Sequence, residues 1–317
     1  MSAIDTFLYL SPMAIGVSMP ILAASLGGLF SERSGVVNIG LEGQMLVGAF
    51  AASYVSVRLY PAIGAAAFWL SLPVAMAVAL LFSALHAVAC VSLNANHVIS
   101  GTAINMLAAA FTVFFSRTVT GSGVIDVRGG IMRYTFPGLS NIPVLGKILF
   151  TDTYHTTWLI LFLLLASWFM LYKTSFGLGL RSCGENPHAA NAAGISVTKY
   201  RYVGVLLSGA LSGLGGAVYA LCFDKGFTGS IYGLGFLALA SLIFGRWNPW
   251  GILGSTVFFG YASTVANVAT VMPAFAKFPT VLLKVFPYVA TLLVLVFFSR
   301  TSAAPKAAGE AFDKDKH

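Results

Sequence analysis

Charged side chains are the scarcest feature of this chain. Asp, Glu, Lys and Arg make up 9% of its 317 residues, against 58% hydrophobic. An ordinary soluble domain is about one-quarter charged and about half apolar. Eighteen basic and ten acidic residues cannot cover a soluble surface of this size, which excludes a water-soluble enzyme. The net charge of +8 does not signal nucleic acid, because that needs a basic stripe on one face. Here the basic residues stand singly between apolar blocks, and loop ends meeting anionic headgroups account for them. The three cysteines, Cys90, Cys183 and Cys222, form no CxxC pair. Cys90 and Cys222 read as small buried hydrophobes. No basic residue precedes the first apolar block, so the start lacks the positive region of a signal peptide. It reads as a retained transmembrane helix with its N-terminus outside the cytoplasm. There is no GxxxxGK[ST] for ATP, no HExxH, and no GxSxG with a usable His and Asp. No metal site and no cofactor are expected.

What is present is a series of long uncharged intervals. A crossing helix needs about 20 apolar residues at ~1.5 Å each. Thr6–Ser31 is one crossing. Val36–Val57 is a second, carrying Glu42. Leu59–Ser116 contains no Asp, Glu, Lys or Arg, and as one straight helix it would be about 87 Å long, almost three bilayer cores. It must turn back at Asn94-Ala95-Asn96, giving helices at about 62–92 and 97–116, the first kinked by Pro73. Residues 118–153, with Gly121, Gly123, Gly129, Gly130, Pro137 and Pro143, form an external loop. Tyr154–Tyr172, Tyr202–Phe223, Trp250–Met272 and about 281–298 are further crossings. Gly226–Gly245 holds five glycines and reads as a short, broken or re-entrant segment, tolerated where protein or a watery cavity covers it. The fold class is therefore all-α: one polytopic bundle of about nine membrane segments over 1–300. Residues 173–201 form a cytoplasmic loop, and 301–317 a disordered cytoplasmic tail. Ten of the 18 Lys and Arg then lie inside, in keeping with the positive-inside rule.

Four stretches could carry function. Ser31–Gln44 enters a span with Asn38, Glu42 and Gln44 still in the sequence, and Asn38 and Glu42 share a helix face. A carboxylate at membrane depth costs about 2.5–3.5 kcal/mol on insertion scales, so it faces protein or water. Either it lines a substrate path, or it bonds backbone amides or Arg33 and pins a broken helix, which Gly35, Gly40 and Gly43 would favour. Asn94, His97, Gly101 and Asn105 form a polar, small-residue stripe that faces the bundle interior, as packing contacts or as lining. His86, alone in an apolar run, reads as a hydrogen-bonded core residue. Gly209, Gly213 and Gly216 let two helix backbones approach closely. In the 173–201 loop, Asn186 caps and Pro187 starts a short helix, His188–Ala193, which Gly194 stops. It is either a docking element or an ordinary loop helix.

Six motifs occur in the same order in bacterial ABC-importer permeases: SERSGVVNIGLEGQML (31–46), Asn94–Asn105 with VISGTAIN, LRSCGENPHAANAAGI (180–195), LSGALSGLGGAVYAL (207–221), GFLALASLIFGRWNPWG (235–251) and FPYVATLLVL (286–295). The chain resembles the branch of ribose, branched-chain amino-acid and nucleoside permeases over nearly its whole length. It looks most like the shorter permease of nucleoside or simple-sugar systems. That pattern often has an acidic residue where His97 stands, so no substrate role is hung on position 97. The resemblance implies a subunit of the inner membrane without catalysis of its own. It would pair with a second permease, as a heterodimer, to form the pathway. Cytosolic ATPase subunits would drive it and an extracytoplasmic binding protein would deliver a nucleoside or related sugar-like solute. The coupling helix would be Glu185–Gly194, with Gly184, Glu185, Asn186, Pro187, Ala189, Ala190, Ala193 and Gly194 at the ATPase. Asn38, Glu42, Gln44 and Asn105 would line the pathway.

Two other classes compete. An ATP-independent secondary transporter or channel is disfavoured by the few charges at membrane depth and the lack of a visible inverted repeat. An intramembrane enzyme would have to use Glu42 with a histidine, and nothing in the sequence places those groups together.

Overall fold

The structure is a computed structural model that describes residues 3–269, 285, 289 and 304–312. Six helices within it are long and apolar enough to cross a membrane. They are α1 (Ala3–Arg33), α2 (Leu41–Ile63), α3 (Ala66–Ala87), α4 (His97–Thr120), α5 (His155–Lys173) and, beyond two helices of the 173–201 loop, α8 (Val197–Tyr219). The loop helices are α6 (Ser175–Glu185) and α7 (Pro187–Ala192); α9 (Leu234–Phe244) and α10 (Pro249–Ala269) follow α8. Apart from residues 285 and 289, the expected crossing at about 281–298 lies outside the described residues.

Helix ends follow local chemistry. The Asn96 side chain accepts from the Val98 and Ile99 amides to start α4, and Gly121 at φ +74° ends it. Thr174 and Asn186 cap α6 and α7 in the same way. α3 and α8 each end in one wide turn of π-helix, Val88–Ser92 and Ala220–Asp224. The second crossing begins later than expected. Residues 34–40 are not helical, and α2 starts only at Leu41, because Gly35 turns the chain at φ +97°.

Two helices make the core. In the most apolar window of α1 and of α8, 83% of residues are buried, against 22% in α4. α4 is thus the most exposed of the six helices. The close approach around α8 is made by glycine, as the small-residue stripe predicts. A Cβ at Gly213 would meet Ala79 and the Ala75 carbonyl on α3. One at Gly216 would meet the Met45 carbonyl on α2, and one at Gly209 would meet Ser83.

The 118–153 loop is not free of structure. β1 (Ile125–Asp126) pairs antiparallel with β4 (Gly226–Phe227), and β2 (Arg133–Tyr134) with β3 (Thr153–Tyr154). Arg133 donates to Asp152 at 2.7 Å and to the Tyr154 hydroxyl at 3.1 Å. The tail needs a correction. Residues 301–317 were expected to be disordered, yet 304–312 are placed against the 173–201 loop. The Ala307 amide donates to the Gly184 carbonyl at 2.9 Å and the Gly309 amide to Gly35 at 3.0 Å. Composition alone missed this, because the partners are backbone groups that composition does not reveal.

Candidate functional site

The break at 34–40 is held by a dense set of hydrogen bonds. The Ser31 hydroxyl donates to the Val36 carbonyl at 2.7 Å. The Val37 amide donates to His97 Nδ1 at 3.3 Å, and the Val37 carbonyl accepts from His86 Nε2 at 3.1 Å. Asn38 donates to the Ser208 hydroxyl at 2.9 Å and to Gln44 at 3.1 Å, while its own oxygen accepts from the Gly40 amide. Asn105 spans the gap, accepting from the Gly43 amide at 2.7 Å and donating to the Ile39 carbonyl at 3.0 Å. Gly101 packs against Ile39 and Gly40. The polar stripe of α4 therefore lies against the break and supplies the partners that lost helical bonds would leave open. His86, also bonded to the Ser100 hydroxyl at 2.8 Å, is the hydrogen-bonded core residue expected.

Glu42 is the second residue of α2. Its two carboxylate oxygens accept from the Gly233 amide at 3.0 Å and the Gly235 amide at 2.7 Å. Those amides are at the start of α9, where N–H groups lack helical partners and the helix dipole favours an anion. Gly235 permits this approach, since a Cβ there would meet the Glu42 backbone. Of the four residues expected to line the pathway, Asn38 and Gln44 are fully buried. Glu42 and Asn105 are half-buried. The structure brings all four into one framework joining α2, α4, α8 and α9. Of the two readings of Glu42, its contacts are those of the backbone pin.

A second anchor escaped the sequence reading. Glu32, at the end of α1, is buried and accepts from the Trp247 indole at 2.6 Å. Arg33 donates twice to the Trp247 carbonyl, at 2.8 and 3.2 Å. The Gly245–Pro249 corner that closes α9 is thereby tied to α1. Arg246 and Trp247 both take positive φ, +52° and +51°. The acidic residue inside the SERSG motif was the available signal.

On the loop side, α7 follows α6 without a spacer beyond Asn186, whose side chain accepts from the Ala189 amide at 3.0 Å. Gly194 takes φ +83° and ends the element. Glu185, Asn186, His188, Ala189, Ala193 and Gly194 are exposed, while Gly184, Pro187 and Ala190 are buried. Cys183 packs with Ala190 and Val197 beneath α7, and burial pushes its thiol up to about 11. Glu185 lies 3.8 Å from Arg33.

At the other end of the bundle is a cavity of about 560 Å³, lined by Met13 and Val17 of α1, Tyr219, Phe223 and Asp224 at the end of α8, Tyr232, and Ser263 and Asn267 of α10. Tyr219 and Phe223 stack at 6.1 Å, and Tyr232 stands edge-on to Tyr219 at 6.3 Å. Asp224 accepts from the Thr228 hydroxyl at 2.8 Å. Aromatic faces with one carboxylate suit a planar, hydroxyl-bearing solute. The sequence reading did not single out these residues, because they come from four separate segments and form no local motif.

Polar groups at membrane depth are thus used to fix backbone, and no cluster of three metal-ligating side chains exists among the described residues. With six helices long and apolar enough to cross a membrane, this is the arrangement of a multi-pass membrane protein. The particular family follows from comparison. Residues 13–296 match the family described as branched-chain amino acid transport system / permease component, and the chain belongs to it. It is 46% identical to the guanosine ABC transporter permease protein NupQ of Bacillus subtilis, covering 96% of each chain. It is 42% identical to the nucleoside ABC transporter permease protein NupC of Lactococcus lactis, covering both entirely. A more distant relative, the guanosine ABC transporter permease protein NupP of Bacillus subtilis, is 28% identical over 74% of this chain. No solved structure matches the chain.

Proposed function

We propose that the chain is a permease subunit of an ABC importer that takes up nucleosides. Full-length identity to two permeases named for guanosine and nucleoside transport is the observation that carries this reading. The aromatic, carboxylate-bearing cavity supports it, since a base can stack on Tyr219 or Tyr232 while ribose hydroxyls donate to Asp224. Asn38, Glu42, Gln44 and Asn105 then act on the pathway indirectly, by holding the break and α9 where the cavity needs them.

The remaining parts follow from the same reading. About nine membrane segments place the N-terminus outside and the 173–201 loop in the cytoplasm of a bacterial inner membrane. A second, non-identical permease completes the pathway, and the alignment to both NupQ and NupP, two guanosine permeases of one organism, supports such a pair. Cytosolic ATPases dock on α7 and its flanks, Gly184–Gly194, and an extracytoplasmic binding protein supplies solute. ATP-driven closure moves α7 and rocks the bundle between outward and inward access. The test is reconstitution with the neighbouring gene products in lipid vesicles. Guanosine uptake that requires ATP and a loaded binding protein is the expected result. Uptake indifferent to ATP would overturn the importer reading in favour of a secondary transporter.

A further inference from the structure

The segment 304–312 is a strap across the coupling region. Pro305 and Ala307 are buried and Phe312 is half-buried. The strap bonds three separate elements. Its Ala307 amide takes the Gly184 carbonyl, in the last turn of α6, where carbonyls lack helical partners. Its Gly309 amide takes the Gly35 carbonyl, in the turn that ends α1. Its Glu310 carbonyl accepts from Arg201 Nη1 of α8 at 2.8 Å. Phe312 then lays its ring 5.4 Å from His188 of α7 and 6.0 Å from the Arg201 guanidinium.

Arg201 is the largest fully buried side chain among the described residues, at 1% exposure. Its Nε and Nη2 make no hydrogen bond among those residues. A guanidinium buried on so little bonding is costly, and the strap is the element that supplies its one hydrogen bond among the described residues. The strap thus closes a loop from α7 through Arg201 and α8 to the end of α1. That end leads directly into the 34–40 break.

We propose that residues 304–312 position the coupling helix, so that movement of α7 by an ATPase is transmitted to α1 and the break rather than absorbed by a loose loop. Phe312 and Arg201 are its positioning residues. This rests on the reading of α7 as the ATPase contact.

The experiment uses the assembled transporter in vesicles. Phe312→Ala, Phe312→Tyr and a chain ending at Ala303 are compared with wild type. Uptake per ATP hydrolysed is read beside the rate at which Cys183, in the cluster that Phe312 packs against, is alkylated. Losing an aromatic contact of this kind shifts such an equilibrium by about two- to tenfold. Phe312→Ala is therefore expected to lower uptake per ATP by that factor and speed Cys183 labelling. Phe312→Tyr restores both, and the complex still assembles. Wild-type uptake per ATP in Phe312→Ala would overturn the strap whatever the shortened chain does. A wild-type chain that binds no ATPase would instead fail the proposed function, which assembly reports separately.

Discussion

Two polar regions of this bundle look alike in composition and differ in what surrounds them. Around the break at 34–40, Asn38 and Gln44 are fully buried and bonded to each other, to Ser208 and to backbone. Around Tyr219–Tyr232, the polar groups face a cavity of about 560 Å³. A buried polar group left unpaired costs about 1–3 kcal/mol, so the first region is a frame whose bonds must all be kept. The second has room for a solute to complete its bonding. Polar residues at membrane depth are thus not all pathway residues, and what separates the two kinds is the space beside them.

The comparison can be broken hardest at the glycine contacts on which both regions depend. Gly216→Val would drive a side chain into the Met45 backbone of α2, where neither helix can yield. A loss of about 3 kcal/mol or more is expected, visible as failure to recover folded protein from the membrane. Recovery at wild-type level with an unchanged Tm would refute the close packing.

Next in size is the frame itself. Glu42→Ala leaves the Gly233 and Gly235 amides without their acceptor, a cost of about 2–4 kcal/mol, and lowers Tm in detergent. Glu42→Gln keeps an acceptor and loses less. Equal stability of wild type and Glu42→Ala would show that the carboxylate does not hold α9.

The cavity should answer in the opposite way. Tyr232 is exposed and borders open space, so Tyr232→Ala is expected to leave Tm alone. It should weaken solute affinity by the worth of one stacked base, about 1–3 kcal/mol, read as a raised KM for uptake. A fall in Tm with unchanged KM would move Tyr232 from the cavity to the frame.

The smallest effect concerns the α6–α7 loop. With its thiol pushed up to about 11 by burial, Cys183 holds almost no thiolate at neutral pH. Alkylation of the folded protein at pH 7.5 should therefore be slow and should accelerate only on denaturation, as mass mapping would show. Fast labelling of the native chain would mean that α7 does not cover it.

Much of this was legible in order along the chain. The turn at Asn94–Asn96 was readable because a helix cannot run three bilayer thicknesses, and the caps Asn96 and Asn186 are local chemistry. The start of α7 at Pro187 and its stop before Gly194 follow from the same local rules. The glycine stripe predicted close packing, though not that both α2 and α3 use it. Three things were out of reach. Glu42 could be placed on a face but not paired with amides 191 and 193 residues away. The cavity draws on α1, α8, α9, α10 and a loop, so no window of sequence contains it. The strap binds mostly through backbone groups, which every residue has.

Composition and periodicity thus determined a multi-pass helical bundle, its turns and its caps. Those properties depend on the solvent each segment demands and on neighbours within a few residues. Tertiary structure alone decided which polar groups became frame and which became cavity, and that residues 304–312 would pack against the 173–201 loop. Those outcomes depend on which distant backbone groups arrive within hydrogen-bond reach, and a linear pattern does not encode that distance.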